Sequence, residues 1–176
     1  MDGFLCVDKF WDLGYNIDMK EKITAFERAT RYLGVRRRTV FEMRQYLVGK
    51  GYSLVEVKEA VDKLLEYGYL NDGEFAEQYV DAYRARGGIN KLRAGLYKAG
   101  ADKDAIDNAL ENLGDQAEEA EELARRYLRG KEISEDKKER FELKVKLSRH
   151  LAGKGFKWDT VKRVCDKVMD CGDMEY

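Results

Sequence analysis

Three stretches, KGYSLVEVKEAVDKL (residues 50–64), AGADKDAIDNALENL (residues 99–113) and KGFKWDTVKRVCDKV (residues 154–168), are variants of one pattern. After Gly51, Gly100 and Gly155, apolar residues fall at offsets of 6, 9, 10 and 13: Val57, Ala60, Val61, Leu64; Ile106, Ala109, Leu110, Leu113; Val161, Val164, Cys165, Val168. That spacing puts one apolar stripe on a helix. Four residues before each glycine stands Leu47, Leu96 or Leu151, and eight before it Met43, Leu92 or Leu147, so a second amphipathic helix precedes each glycine. Glycine suits such a joint because it enters the left-handed conformation without a side-chain clash.

The glycines lie 49 and then 55 residues apart, which leaves room for a third helix per unit. Its expected face in the first unit is Ile23, Phe26, Thr30 and Leu33. In the second it is Phe75, Tyr79, Val80 and Tyr83, on a helix from about 75 to 85. In the third it is Leu123, Ala124, Tyr127 and Leu128. Thr39 with Glu42, Ser53 with Glu56 and Asn71 with Glu74 have capping-box spacing, in which a side-chain oxygen and a carboxylate satisfy orphan amides reciprocally. The fold class is therefore all-α: three tandem three-helix repeats forming an elongated, curved molecule. The expected units are residues 23–67, 68–114 and 115–176, the last with a short C-terminal tail. Residues 1–22 are an N-terminal extension, either a short helix on the first unit or disordered. The chain has no proline, as long helical stretches require.

The near-zero net charge of -1 hides segregation. Residues 20–50 hold nine basic and three acidic side chains, whereas residues 102–124 hold nine acids and only Lys103. Basic blocks fall mainly on the first two helices of each unit. The first two third helices are acidic, with Glu56, Glu59, Asp62 and Glu66, then Asp104, Asp107 and Glu111. Arg36, Arg37 and Arg38 occupy one helix-to-helix joint beside Tyr32. Arg84, Arg86 and Lys91 surround Gly87 and Gly88 at the equivalent joint, with Arg93 beyond. A repeated basic joint points to a polyanionic or acidic partner. The expected contact residues are Arg36, Arg37, Arg38, Arg84, Arg86, Lys91 and Arg93, flanked by Arg44 and Lys50.

Catalytic patterns are missing. His150 is the single histidine, and no cysteine or serine partner accompanies it at a spacing that would make it a base. The stretch VGKGYS (residues 48–53) lacks the GK[ST] ending of a phosphate loop and no strand precedes it. Cys6, Cys165 and Cys171 form no CxxC pair, so neither a disulfide framework nor a zinc site is expected. The expectation is a cytoplasmic monomer that is not an enzyme, with no cofactor, no metal and no membrane span.

The run GYLNDGEFAEQYV (residues 68–80) resembles the hallmark segment of the RecX family, modulators of the RecA recombinase, and GGINKLRAGL (residues 87–96) is similar to that family's second signature. The resemblance extends over about residues 25–168, with three glycine-linked helix pairs matching the family's three tandem repeats. In the second signature this chain has Ile89, Asn90 and Leu92 where proline and more arginine are usual, which implies weaker basic contact there. Lys157 stands where Ser53 and Asp102 cap the other third helices, so the last helix is expected to fray. The resemblance implies a regulatory protein that lies in the groove of a RecA filament on single-stranded DNA, blocking strand exchange and slowing ATP hydrolysis by RecA. It implies contact with single-stranded DNA within the filament, or weakly alone. Two alternatives remain on the residues themselves: a helix-turn-helix-like DNA-binding protein, in which the third helix of a unit would enter the major groove, and a helical protein–protein adaptor.

Overall fold

The structure is a computed structural model that describes residues 23–170, and among them there are helices and no strand. The first unit comprises α1 (Ala25–Leu33), α2 (Val40–Gly49) and α3 (Leu54–Glu66). The second comprises α4 (Asp72–Tyr83), a 3-10 turn (Arg84–Arg86), α5 (Ile89–Ala99) and α6 (Lys103–Glu111). The third comprises α7 (Ala117–Leu128), α8 (Lys137–Gly153) and α9 (Trp158–Asp170). The expectation about residues 1–22 lies outside the described residues, as do Cys6 and Cys171.

The three glycines do what the repeat demanded. Gly51, Gly100 and Gly155 have φ of 84°, 72° and 89°. Behind each, the next amide turns back to the leucine five residues earlier: Tyr52 to Leu47 at 3.3 Å, Ala101 to Leu96 at 3.2 Å, Phe156 to Leu151 at 3.4 Å. This closure satisfies the last carbonyls of the helix and drives Tyr52, Ala101 and Phe156 into the core.

Each unit has its own apolar cluster. The stripes of α3 and α6 are buried throughout, and Val161, Val164 and Cys165 are buried on α9. There Val168 is only half-buried, and Met169 fills the end of the core instead. The first helices also depart from expectation. Phe75, Val80, Ala124 and Leu128 are buried as expected, but the packing faces also take in the unexpected Ala25, Ala29, Ala76 and Ala120, while Phe26, Leu33 and Tyr79 are half-buried and Tyr83 is exposed. Small side chains let each first helix approach the third helix of its own unit closely, and larger apolar side chains then cover the edges.

Caps explain most of the starts. The Ser53 hydroxyl accepts from the Glu56 amide at 3.3 Å while the Glu56 carboxylate accepts from the Ser53 amide at 2.8 Å. Thr24 and Glu27 form a second reciprocal box that the sequence reading passed over. Thr39 and Asn71 accept from Glu42 and Glu74 at 3.0 and 3.1 Å, yet those two carboxylates turn to arginines rather than closing the box. α9 runs for 13 residues from Trp158, its first turn closed by the Val161 amide on the Lys157 carbonyl at 3.0 Å.

The units are joined in a row by two equivalent seams. At the first, Thr39 Oγ1 donates to the Ala99 carbonyl at 2.6 Å and the Val40 amide to Asp72 Oδ1 at 2.9 Å. Asp72 Oδ2 also accepts from the Asp102 amide at 3.1 Å, so one carboxylate serves the starts of α2 and α6. At the second seam, Gly88 takes the place of Thr39 and its amide donates to the Lys154 carbonyl at 2.9 Å. The Ile89 amide donates to Gln116 Oε1 at 2.7 Å, as Val40 does to Asp72. In the first and second units the start of the second helix thus abuts the glycine turn of the next unit.

Candidate functional site

The joint after α1 and the joint after α4 sit beside these seams, which explains where the chain places its arginines. Arg36 is about half exposed and pairs with Glu42 at 3.0 Å. Arg37 reaches across the seam to Glu74, in the first turn of α4. Arg84 repeats this across the second seam, its Nε and NH2 donating to Glu119 Oε1 in the first turn of α7 at 3.1 and 2.8 Å. Arg38 behaves differently. Its side chain is only 12% exposed, its guanidinium lies 4.1 Å from the Tyr32 ring centroid and 3.7 Å from Glu42, and it packs inward.

The remaining expected contact residues divide between free and engaged. Arg86 is exposed, with its guanidinium 5.6 Å from the Tyr83 ring. Lys50 lies 5.5 Å from the Tyr46 ring, and Arg44 is exposed on the same helix. Lys91 is exposed, and its backbone and Cβ press on Gly155, where an added Cβ would lie 2.6 Å from the Lys91 amide nitrogen. Arg93 pairs with Asp107 on α6. The two joints therefore present Arg36, Arg37, Arg84 and Arg86 outward, and three of those four already hold a carboxylate. A groove of about 450 Å³ lies along the first seam, lined by Arg36, Arg37, Tyr79, Tyr83, Gly95 and Lys98 among others. The rings of Tyr79 and Tyr83 are 4.6 Å apart on its wall.

A third joint, between α7 and α8, was not singled out in the sequence. It carries Arg129 and Lys131, with Lys137 and Lys138 opening α8. Its loop is longer than those of the other two joints and breaks the spacing they share. Lys131 sits 3.2 Å from the Tyr127 ring, which stacks on His150 with centroids 4.6 Å apart. Burial, then Lys154 and Lys131, push the His150 imidazole below its ordinary value, so it is neutral near pH 7. Burial pushes the Cys165 thiol up, and Ser148 donates to its sulfur at 3.3 Å, so the thiol is protonated and packed. Among the described residues no group of three or more His, Cys, Asp or Glu side chains could hold a metal ion, and no helix is long and apolar enough to cross a membrane.

The acidic faces lie where the spacing put them. Glu56, Glu59, Asp62 and Glu66 are exposed on α3, and Asp104 and Glu111 on α6. An α-helix presenting such a face to a DNA groove would meet phosphate repulsion.

Comparison with known proteins places these features in a family context. The family model for the RecX first three-helix domain matches residues 25–64. The chain is 30% identical over 146 residues to the regulatory protein RecX of Clostridium botulinum (strain Eklund 17B / Type B), covering 82% of this chain and 68% of that protein. It is 28% identical over 170 residues to RecX of Clostridium tetani, covering 89% of this chain and 77% of that one. RecX of Bacillus pumilus is 34% identical over 149 residues, but the chain spans only 55% of its length. In fold, the chain is similar to the crystal structure of RecX from Lactobacillus salivarius, with a TM-score of 0.74 at 23% identity over 82% of this chain and 94% of that one.

Proposed function

Since this chain belongs to the RecX family of regulatory proteins, we propose that it binds a RecA filament on single-stranded DNA in the cytoplasm, as a monomer and without catalysis of its own, and inhibits or modulates strand exchange and ATP hydrolysis by RecA. The observation that carries this reading is the pair of arginine joints, Arg36–Arg37 and Arg84–Arg86, repeated one unit apart on units strung in a row. A row of equivalent cationic points suits a partner whose own negative charges repeat along a filament. RecA would supply the nucleotide site, so none is needed in this chain. The helix-turn-helix reading would place α3 or α6 in a DNA groove, and their exposed acids oppose it.

The test is equilibrium binding to RecA assembled on single-stranded DNA with a slowly hydrolysed nucleotide, repeated over a range of salt. Each phosphate contact contributes about 0.7 to the log–log salt slope on a single strand. Joint replacement of Arg36, Arg37, Arg84 and Arg86 by alanine is expected to weaken binding and flatten the slope. Binding that is tight, salt-insensitive and unaffected by the replacement would favour the plain adaptor instead.

A further inference from the structure

Of the three joint arginines that hold a carboxylate in the free protein, two are occupied in the same way. Arg37 holds Glu74 and Arg84 holds Glu119, each acid coming from the first turn of the next unit's first helix. We infer that Glu74 and Glu119 are built-in competitors for the joint arginines, which a bound polyanion displaces, so that they set how strongly and how selectively the joints bind. This inference rests on the function proposed above.

Three features favour displacement over a permanent clamp. Both arginine side chains are 48% exposed, so an incoming anion can reach them without unpacking the seam. Ion pairs open to solvent are weak, because water and salt screen them and two long side chains must be held still; Glu74 is 48% exposed, and Glu119, at 15%, is the more sheltered of the two acids. Each acid also has an alternative when its arginine leaves: both sit at the positive end of a helix, and Glu74 Oε1 lies 3.4 Å from the Asn71 side-chain amide. The seam itself does not depend on the pairs, since the backbone and Asp72 or Gln116 bonds close it.

Selectivity follows from like replacing like. A lone carboxylate on a protein surface would exchange one weak pair for another and gain little. A phosphodiester strand offers successive charges and releases condensed counterions at each contact, which two isolated acids cannot match. The acids thus hold the arginines closed to single anions and open to a chain of them.

The experiment compares wild type with Glu74→Gln/Glu119→Gln in anisotropy titrations against RecA filaments on labelled oligothymidylate at fixed salt. Glu59→Gln/Glu66→Gln, on the exposed face of α3, is the control with the same change in net charge. The double replacement at the joints is expected to bind about three- to tenfold more tightly than the control, and adding Arg37→Ala/Arg84→Ala is expected to erase that gain. Melting temperatures check that all variants are folded. Binding equal to the control overturns the inference. Weaker binding also overturns it, because the acids would then be holding the arginines in their binding positions. Wild-type protein that fails to bind the filament overturns the preceding reading and this inference together.

Discussion

Gly88→Ala probes the seam between the second and third units, because the chain there leaves no room for a methyl group. A Cβ at Gly88 would lie 2.4 Å from the Gly155 carbonyl oxygen and 2.4 Å from the Phe156 amide nitrogen and Cα, all backbone atoms. Ordinary contact begins near 3.4 Å, so the two segments must part by roughly 1 Å. Parting strains the Gly88 to Lys154 and Asn90 to Gly155 bonds, at 2.9 and 3.0 Å, each contributing about 0.5–1.5 kcal/mol. Overpacking adds roughly 1–3 kcal/mol. The expected loss is about 2–6 kcal/mol of coupling between the units, with the three separate cores intact. Backbone strain is no part of it, since Gly88 has φ −79° and ψ 173°. Hydrogen exchange read by mass spectrometry should show faster exchange at residues 88–91 and unchanged protection at Leu47, and thermal unfolding should split or broaden. Gly49→Ala is the contrast: a helical glycine with nothing near its added Cβ, expected to stabilise by about 0.5–1 kcal/mol. Unchanged exchange and melting in Gly88→Ala would refute the seam as described.

Other consequences can be measured on the same footing. Leu96→Ala removes a fully buried side chain from the second core and is expected to cost about 2–5 kcal/mol in urea denaturation. Arg38→Ala is expected to lower stability by about 1–2 kcal/mol through lost contact with Tyr32 and Glu42, whereas Arg36→Ala and Arg37→Ala stay within about 0.5 kcal/mol in the same denaturation series. His150 binds its proton less readily folded than unfolded, so its contribution to stability is complete above the ordinary value of 6.5 and falls as pH drops below it. His150→Gln should flatten the fall in melting temperature as pH drops below 6.5, a window above that of the Asp115 and Asp166 carboxylates, which Arg163 and Lys144 hold below 3.8.

The repeat was legible because glycine and leucine carry it: a left-handed turn admits few residues, and the stripe positions of α3 and α6 are all core. The first helices were harder to read. Phe75, Val80, Ala124 and Leu128 were placed correctly, but Ala25, Ala29, Ala76 and Ala120 were not, because alanine is as common on surfaces as in close helix contacts and the aromatic side chains beside them drew the reading off centre. Residue type also concealed what the joints do. Nothing in the sequence pairs Arg37 with Glu74 or Arg84 with Glu119, because those pairs cross the seams, and the seams exist only once the units have stacked. Arg38 is indistinguishable from its neighbours until Tyr32 is seen beneath it. The seam contact between Gly88 and Gly155 spans 67 residues and has no local signal at all.

The most direct test of the proposed role is ATP turnover by a cognate RecA assembled on single-stranded DNA, with this protein added below stoichiometry. Turnover is expected to slow, and the variant lacking Arg36, Arg37, Arg84 and Arg86 is expected to slow it much less while melting at nearly the same temperature. RecA turnover that stays unchanged even with the wild-type protein in excess would contradict the account.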